Sequence, residues 1–391
     1  MQYLVIRWVI FANTFYIFAL LLRQVYMFDT ISHILIGSQL VLILIILLGL
    51  NALRLKKEEL LLLLLVGVAF LKSDFDSYQI KNIVIDFLKP VLFIFTVAAI
   101  RSAAITKILA DEKLGKIFAL YAITTAASVC IGLFYSAFVA SIYPAYSSVY
   151  SLTGYFYLVR RSRYSALGFL LLLALSGKRA VMLSGLLAQI DVRSLLRRLR
   201  SLLSLVVFFS VFAIIFFYQM GWDWLAQNIL KVNPSVIDGA IDNVEILRYV
   251  TGGRMDELID GLGYDFTPVN ILFGKSLGYA YDSLAFEEIN HRNFHFTPAS
   301  LFVHYGVIFT IAFSYYIFKI VFNKKVILLA EKFDNLYVIR MYLIGSLFFF
   351  LTEYGVFGYI NFCIGLGLLA GVKSFSSQSN NTFAATRLTG N

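Results

Sequence analysis

Residues 201–219 read SLLSLVVFFSVFAIIFFYQ, a run with no charged side chain that is long enough to cross a bilayer as one helix. The chain then becomes polar, because residues 222–298 hold 11 Asp and Glu, 5 Lys and Arg, and two of the four histidines. Apolar sequence resumes near residue 299. A long polar segment between membrane spans indicates work done at a membrane surface, and we predict that function resides there.

The composition of the whole chain is that of a membrane protein. Its mean hydropathy is +0.80, with 60% hydrophobic and 14% charged residues, and no soluble core could absorb so much apolar surface. We predict an all-α, polytopic integral membrane protein with about 12 transmembrane helices and one large external, periplasmic loop. The predicted spans are 2–22, 31–51, 60–72, 83–100, 117–140, 147–159, 164–176, 180–192, 201–219, 299–320, 336–353 and 355–372.

These spans divide the chain into four regions. We expect the first nine helices in residues 1–219, the periplasmic loop in 220–298, the last three helices in 299–373, and a disordered cytoplasmic tail in 374–391.

Lys and Arg indicate the orientation. They cluster at residues 54–57, 160–163 and 193–200, which all face the cytoplasm if both termini do. The long loop would then lie on the external side of the membrane. The net charge of +10 is accounted for by this bias, so we predict no nucleic-acid partner.

Several cations depart from that bias and are candidates for phosphate binding. Lys178 and Arg179 occupy a short turn between two apolar spans, where they either snorkel to lipid headgroups or clamp a phosphate. Arg254 follows Gly252 and Gly253 at a predicted helix start, where free backbone N–H groups favour anions, although a plain loop turn fits too. Two further cations of the loop complete this set, Arg248 and Arg292.

Histidines precede and enter the span that begins near residue 299. His291, His295 and His304 lack the HExxH arrangement and have no cysteine nearby, so we predict no metal site. We favour His295 as a general base at the junction of loop and span, with His291 as a second candidate. His295 and His291 could instead be hydrogen-bonded loop residues. His304 could be a packing or hydrogen-bonding residue within the span.

Other polar groups are secondary candidates. Asp74 and Asp76 could hold a divalent cation against a pyrophosphate, or form a solvated loop. Glu353 and Tyr354, at the end of a span, could pair with the arginines or lie at the interface. The segment GKSLG at residues 274–278 is too loose for a P-loop, and on the predicted topology it faces away from cytosolic ATP.

This arrangement resembles the bacterial O-antigen and exopolysaccharide polymerases (Wzy type) and the related O-antigen ligases. Twelve predicted spans with a large external loop before the last three carry the resemblance over nearly the whole chain. His295 and Gly306 are similar to a ligase-like pattern of His followed by Gly, although Phe296 and Phe309 replace residues usual in that pattern.

Three shorter segments resemble elements of the same families. Residues 176–180, SGKRA, are similar to a Ser-Arg element, and residues 251–254, TGGR, to a Gly-Arg element. Residues 271–274, ILFG, resemble the apolar-Gly element that follows. The order of these elements along the chain also matches.

The resemblance implies a glycosyltransferase of GT-C-like architecture that polymerises polyprenyl-pyrophosphate-linked oligosaccharide repeat units and needs no nucleotide or other cofactor. Its partners would be the undecaprenyl-pyrophosphate-linked glycan, membrane lipids and a chain-length regulator protein. On this interpretation the cations hold the departing pyrophosphate and His295 activates the acceptor hydroxyl. An O-antigen ligase acting on lipid A core and a lipid-linked oligosaccharide flippase are the alternatives.

Overall fold

A computed structural model describes the chain over residues 2–16, 41, 43–44, 54–73, 75, 80–101, 111–138, 149–175, 179–189, 261–262, 266–283, 288–291, 294, 296–351 and 356–372. Apart from one small ribbon, the regular elements among these residues are helices, which agrees with the prediction of a helical fold. The helices are α1 (Gln2–Ala12), α2 (Lys57–Lys72), α3 (Ile80–Arg101), α4 (Glu112–Phe138), α5 (Ser151–Arg161), α6 (Arg163–Leu175), α7 (Arg179–Ala188), α8 (Pro268–Phe273), α9 (Thr297–Val321), α10 (Lys324–Lys332), α11 (Asp334–Phe349) and α12 (Ile360–Val372).

Three of these helices are both long and apolar enough to cross a membrane. They are Ile80–Arg101, Glu112–Phe134 and Thr297–Val321. Their length and composition point to a membrane-associated protein. The predicted spans 31–51 and 201–219 lie almost wholly outside the described residues.

Other predicted spans coincide with helices that are too short to cross a bilayer alone. Helices α5, α6 and α7 have 11, 13 and 10 residues, against about 20 for a full crossing. Within the described range, α12 occupies residues 360–372 and is preceded by a 3₁₀ turn at Val356–Gly358, so the predicted span 355–372 is not one continuous helix.

Three described elements were not predicted: a two-stranded ribbon, helix α8 and helix α10. An antiparallel ribbon joins β1 (Tyr281–Ser283) to β2 (Glu288–His291), with Tyr281 opposite His291. The ribbon is a short local pairing inside the polar loop, and the fold is otherwise helical as predicted. Helix α8 lies inside the segment predicted as a loop. Helix α10 lies between two predicted spans and begins where the Asn323 side chain accepts a hydrogen bond from the amide of Lys325.

Helix α2 runs antiparallel to both α3 and α9. At its beginning, Glu59 pairs with Arg101 from the end of α3, and Glu58 pairs with Lys319 near the end of α9. At its other end, Lys72 and Ser73 contact the turn that follows α8. These contacts place the beginnings of α3 and α9 beside the end of α2.

A second set of helices meets at the end of the structure that is opposite the turn after α8. Arg7 pairs with Asp111 at 3.5 Å, and Arg160 pairs with Asp334 at 2.7 Å. The side chain of Asn335 also donates to the carbonyl of Asp111. The beginnings of α4 and α11 and the end of α5 therefore lie together.

The core contains α12, whose residues 360–372 are all buried. A helix that is apolar around its whole circumference suits a protein core or a membrane, and here other parts of the protein bury it. Its single polar side chain, Asn361, accepts from Asn13 at 3.0 Å and donates to the hydroxyl of Tyr121 at 2.7 Å. Tyr121 in turn donates to the carbonyl of Ile10, so this buried polar chain is satisfied.

Candidate functional site

The candidate site is a glycine-bounded turn, residues 274–278, which we call the GKSLG turn. It follows α8, a six-residue helix whose limits can be read from local sequence. Thr267 caps the beginning by accepting from the amide of Asn270, Pro268 occupies the first turn, and Gly274 ends the helix. Gly274 has φ 85° and ψ 164°, a conformation that costs a residue with a Cβ about 1–3 kcal/mol.

Helix α9 is kinked at Gly306, and the GKSLG turn packs against this kink. Gly306 has φ 81° and ψ 173° inside an otherwise helical segment. In a continuous helix the carbonyl of Val303 would accept from residue 307. Here that carbonyl accepts instead from the amide of Lys275 at 2.7 Å.

The two backbones approach so closely that neither glycine has room for a side chain. A Cβ on Gly306 would overlap the carbonyl of Leu272, and a Cβ on Gly274 would lie 2.5 Å from the carbonyl oxygen of His304. The turn and the kink are therefore complementary surfaces that depend on both glycines.

Lys72 ties the turn to α2. Its ammonium donates to the side-chain oxygen of Asn270 at 2.6 Å and to the carbonyl of Gly274, and it lies 3.4 Å from the carbonyl of Lys275. These acceptors are at the C-terminal end of α8, where a cation also complements the helix dipole. Its three donors are thereby occupied, so Lys72 positions the turn and has none left for a ligand.

Three further side chains hold the rest of the turn. The hydroxyl of Ser73 accepts from the amide of Leu277 at 3.0 Å, and a carboxylate oxygen of Asp86 accepts from the amide of Gly278 at 3.0 Å. Nδ1 of buried His304 lies 3.2 Å from the carbonyl of Ser276. A carbonyl can only accept, so Nδ1 of this histidine must carry the proton.

Lys275 is held by aromatic rings. Its ammonium lies 4.6 Å from the ring centroid of Phe266 and 4.7 Å from that of Tyr279, and it donates to the hydroxyl of Tyr279 at 3.1 Å. Within the described part of the chain, no carboxylate lies within 4.0 Å of it. Because an ammonium has three donors, two remain for a ligand.

An aromatic cluster lies next to this lysine. The ring centroids of Phe266 and Phe302 are 5.2 Å apart, and those of Tyr281 and Phe294 are 4.9 Å apart. Phe294 is fully buried, so the segment immediately before His295 is anchored against the ribbon and the beginning of α9.

Most of the site residues predicted from sequence lie outside the described residues. That group comprises Asp74, Asp76, Lys178, Arg248, Arg254, Arg292, His295, Glu353 and Tyr354. Arg179 is the first residue of α7 and His291 is the last residue of β2, and the structure describes only their backbones. The interpretation of His304 as a hydrogen-bonding residue within a helix is confirmed.

Sequence reasoning missed Lys72 and the role of Lys275. The signal for Lys72 was a cation at the end of a predicted span, on the side that the charge bias leaves poor in cations. In the sequence analysis Lys275 appears only within residues 274–278, a segment too loose for a P-loop. Its signal was the pair of aromatic residues at 266 and 279 that flank it in sequence.

This arrangement can bind an anion at the ammonium of Lys275, on a turn that is fixed to helix α9. In the described ranges, no group of three His, Cys, Asp or Glu side chains is close enough to hold a metal ion. No protein-family model matches the chain, and no match was found among curated proteins or among solved structures.

Proposed function

We propose that the protein is a membrane glycosyltransferase that polymerises polyprenyl-pyrophosphate-linked oligosaccharide repeat units into O-antigen or exopolysaccharide. The proposal includes about twelve transmembrane helices in a GT-C-like arrangement, in a bacterial inner membrane, with the reaction at the periplasmic face. The family resemblance of the sequence is its starting point.

The structural observation that supports the proposal best is the ammonium of Lys275. It lies at a junction of polar loop and span, has two donors to spare, and has no carboxylate neighbour among the described residues. A cation presented in this way suits a substrate whose leaving group is anionic. Helix α8 directly before it exposes apolar side chains, at Val269, Ile271 and Leu272, which suits a substrate carried on a lipid.

In the proposed reaction the acceptor hydroxyl attacks the anomeric carbon of the donor glycan. The bond from that carbon to the pyrophosphate oxygen breaks, and polyprenyl pyrophosphate leaves with the bonding pair. His295 takes the proton of the hydroxyl, and the arginines at 179 and 254 stabilise the departing charge, with Lys178, Arg248 and Arg292 contributing to the same field. Each lost donor to that charge should cost about 2.7–4 kcal/mol of barrier.

An O-antigen ligase would use the same donor with a different acceptor, the lipid A core. A flippase would move the lipid-linked unit without chemistry. Between an enzyme and a transporter, the rigid attachment of the GKSLG turn to α2, α3 and α9 favours the enzyme, because catalysis requires fixed groups.

A chain-length regulator protein is the proposed protein partner.

Deletion of the gene, with analysis of surface glycan, tests this proposal. Loss of a polymerase leaves lipid A core that carries one repeat unit. Loss of a ligase leaves core without any unit, and loss of a flippase leaves the units on the inner face. Only the first pattern supports the proposal, and complementation by the wild-type gene should restore the full glycan ladder.

A further inference from the structure

We infer that Lys275, with the aromatic rings beside it and the apolar surface of α8, forms a binding site for an amphiphilic phosphate. The ligand class is a phosphoryl group joined to an apolar chain. This inference rests on the proposed function, because it assigns the donor lipid phosphate to a site that the sequence resemblance does not include.

The first argument is the fixed position of the cation. The backbone of Lys275 is held by the hydrogen bond from its amide to Val303 and by the anchoring of Gly274 to Lys72. Its side chain is half-buried, and its ammonium contacts the rings of Phe266 and Tyr279 and donates to the hydroxyl of Tyr279. A preorganised cation binds an anion without the entropy cost of ordering a long side chain.

The second argument is electrostatic. Ring faces attract an ammonium but do not neutralise its charge, whereas a carboxylate would. Among the described residues, the nearby acid Asp86 uses one oxygen on the amide of Gly278 and pairs through the other with Lys89, at 3.6 Å. No acidic side chain in the described ranges therefore neutralises the charge of Lys275.

The third argument concerns the apolar part of the ligand. Helix α8 has no buried residue, and Val269, Ile271 and Leu272 are 54%, 41% and 43% exposed. A six-residue helix is about 9 Å long, so this surface starts within one helix length of Lys275. An apolar surface beside an unneutralised cation matches a lipid phosphate better than free phosphate.

The test is chemical labelling of lysines in the purified wild-type protein. Reductive methylation followed by mass spectrometry measures the labelling rates of Lys275 and of Lys81, an exposed lysine at the beginning of α3 that serves as internal control. With undecaprenyl phosphate at about ten times its dissociation constant, the Lys275 rate should fall about tenfold while the Lys81 rate stays constant. Equal rates with and without the lipid would overturn the inference.

Two further arms separate the possible ligands. Inorganic phosphate and phosphatidylglycerol vesicles, tested at the same phosphate concentration, should protect Lys275 much less than undecaprenyl phosphate does. Equal protection by inorganic phosphate would show a site for free anions, and equal protection by the vesicles would show a general headgroup site. Either result would contradict the inferred ligand class.

Variants then connect the site to turnover. Lys275→Met should weaken undecaprenyl phosphate binding about tenfold, equivalent to about 1.4 kcal/mol, while Lys275→Arg keeps most of it. Unchanged binding by Lys275→Met would overturn the inferred site and leave the proposed polymerase standing. Protection of Lys275 in a wild-type protein that does not elongate glycan would overturn the polymerase and leave the site standing.

Discussion

The ammonium of Lys72, the last residue of α2, donates a hydrogen bond to the carbonyl of Gly274, 202 positions later in the chain. This bond joins a helix near the N-terminus to the turn that precedes the kinked helix α9. It closes the C-terminal end of α8 and fixes the backbone from which Lys275 projects.

Replacement of Lys72 by Met should therefore destabilise the protein. The substitution leaves the acceptors at Asn270, Gly274 and Lys275 without their donor, at a cost of about 1–3 kcal/mol. Lys81→Met, at an exposed position in the next helix, is the matched control and should change stability by less than about 0.5 kcal/mol. Thermal unfolding of both variants in detergent measures the difference, and equal unfolding midpoints would show that the Lys72 contact is unimportant.

The glycine of the α9 kink should not tolerate a side chain. Gly306→Ala forces alanine into a backbone conformation that is essentially restricted to glycine, at about 1–3 kcal/mol, and adds an overlap with the carbonyl of Leu272. Gly168→Ala in α6 meets no atom within 4 Å and should stabilise the helix by about 0.5–1 kcal/mol. Opposite shifts of the two unfolding midpoints are expected, and wild-type stability in Gly306→Ala would contradict the close approach of the two backbones.

Two adjacent glutamates should respond differently to the same substitution. Glu59 is fully buried, pairs with Arg101 and accepts from the hydroxyl of Tyr316 at 2.7 Å, so Glu59→Gln should cost about 3–5 kcal/mol by leaving a buried guanidinium without its counter-charge. Glu58 pairs with Lys319 in water-accessible surroundings, so Glu58→Gln should cost at most about 1 kcal/mol. Denaturation of both variants measures these costs, and similar values would show that burial does not control the strength of the pair.

The proposed general base gives a test by activity. His295→Ala should reduce glycan elongation about 10²–10⁴-fold with unchanged expression, which is the usual contribution of a general base. His295→Gln should not restore it, since an amide cannot accept that proton. His291→Ala should have a smaller effect. Full activity in the His295 variants with an inactive His291→Ala would move the base four residues upstream, to the end of β2.

The sequence predicted the helical, apolar character of the fold and the beginning of α9, because both depend on local composition and on Pro298 at a helix start. The signals for the two ends of α8 were also present in the sequence: Thr267 and Pro268 at its beginning and Gly274 at its end. The prediction nevertheless treated this part of the chain as a loop. The lengths of α5, α6 and α7 were harder to predict, because buried helices in a bundle can be shorter than a bilayer crossing.

The candidate site was less predictable than the fold. Its defining contacts join Lys72 to Gly274, Ser73 to Leu277 and Asp86 to Gly278, across about 200 residues in each case. Periodicity and turn chemistry describe neighbours in sequence, so they contain no information about such contacts. The aromatic neighbours of Lys275, Phe266 and Tyr279, are close to it in sequence, but the sequence does not show that their rings contact its ammonium.

The most direct test of the central proposal is a reaction with purified protein and a polyprenyl-pyrophosphate-linked repeat unit, in buffer containing EDTA and without nucleotide sugar. We predict a ladder of glycans that lengthen by whole repeat units, with release of one polyprenyl pyrophosphate for each unit added. Absence of elongation by folded protein would contradict the proposed polymerase. Elongation that stops in EDTA and returns with Mg²⁺ would contradict the metal-free mechanism and make Asp74 and Asp76 the leading site.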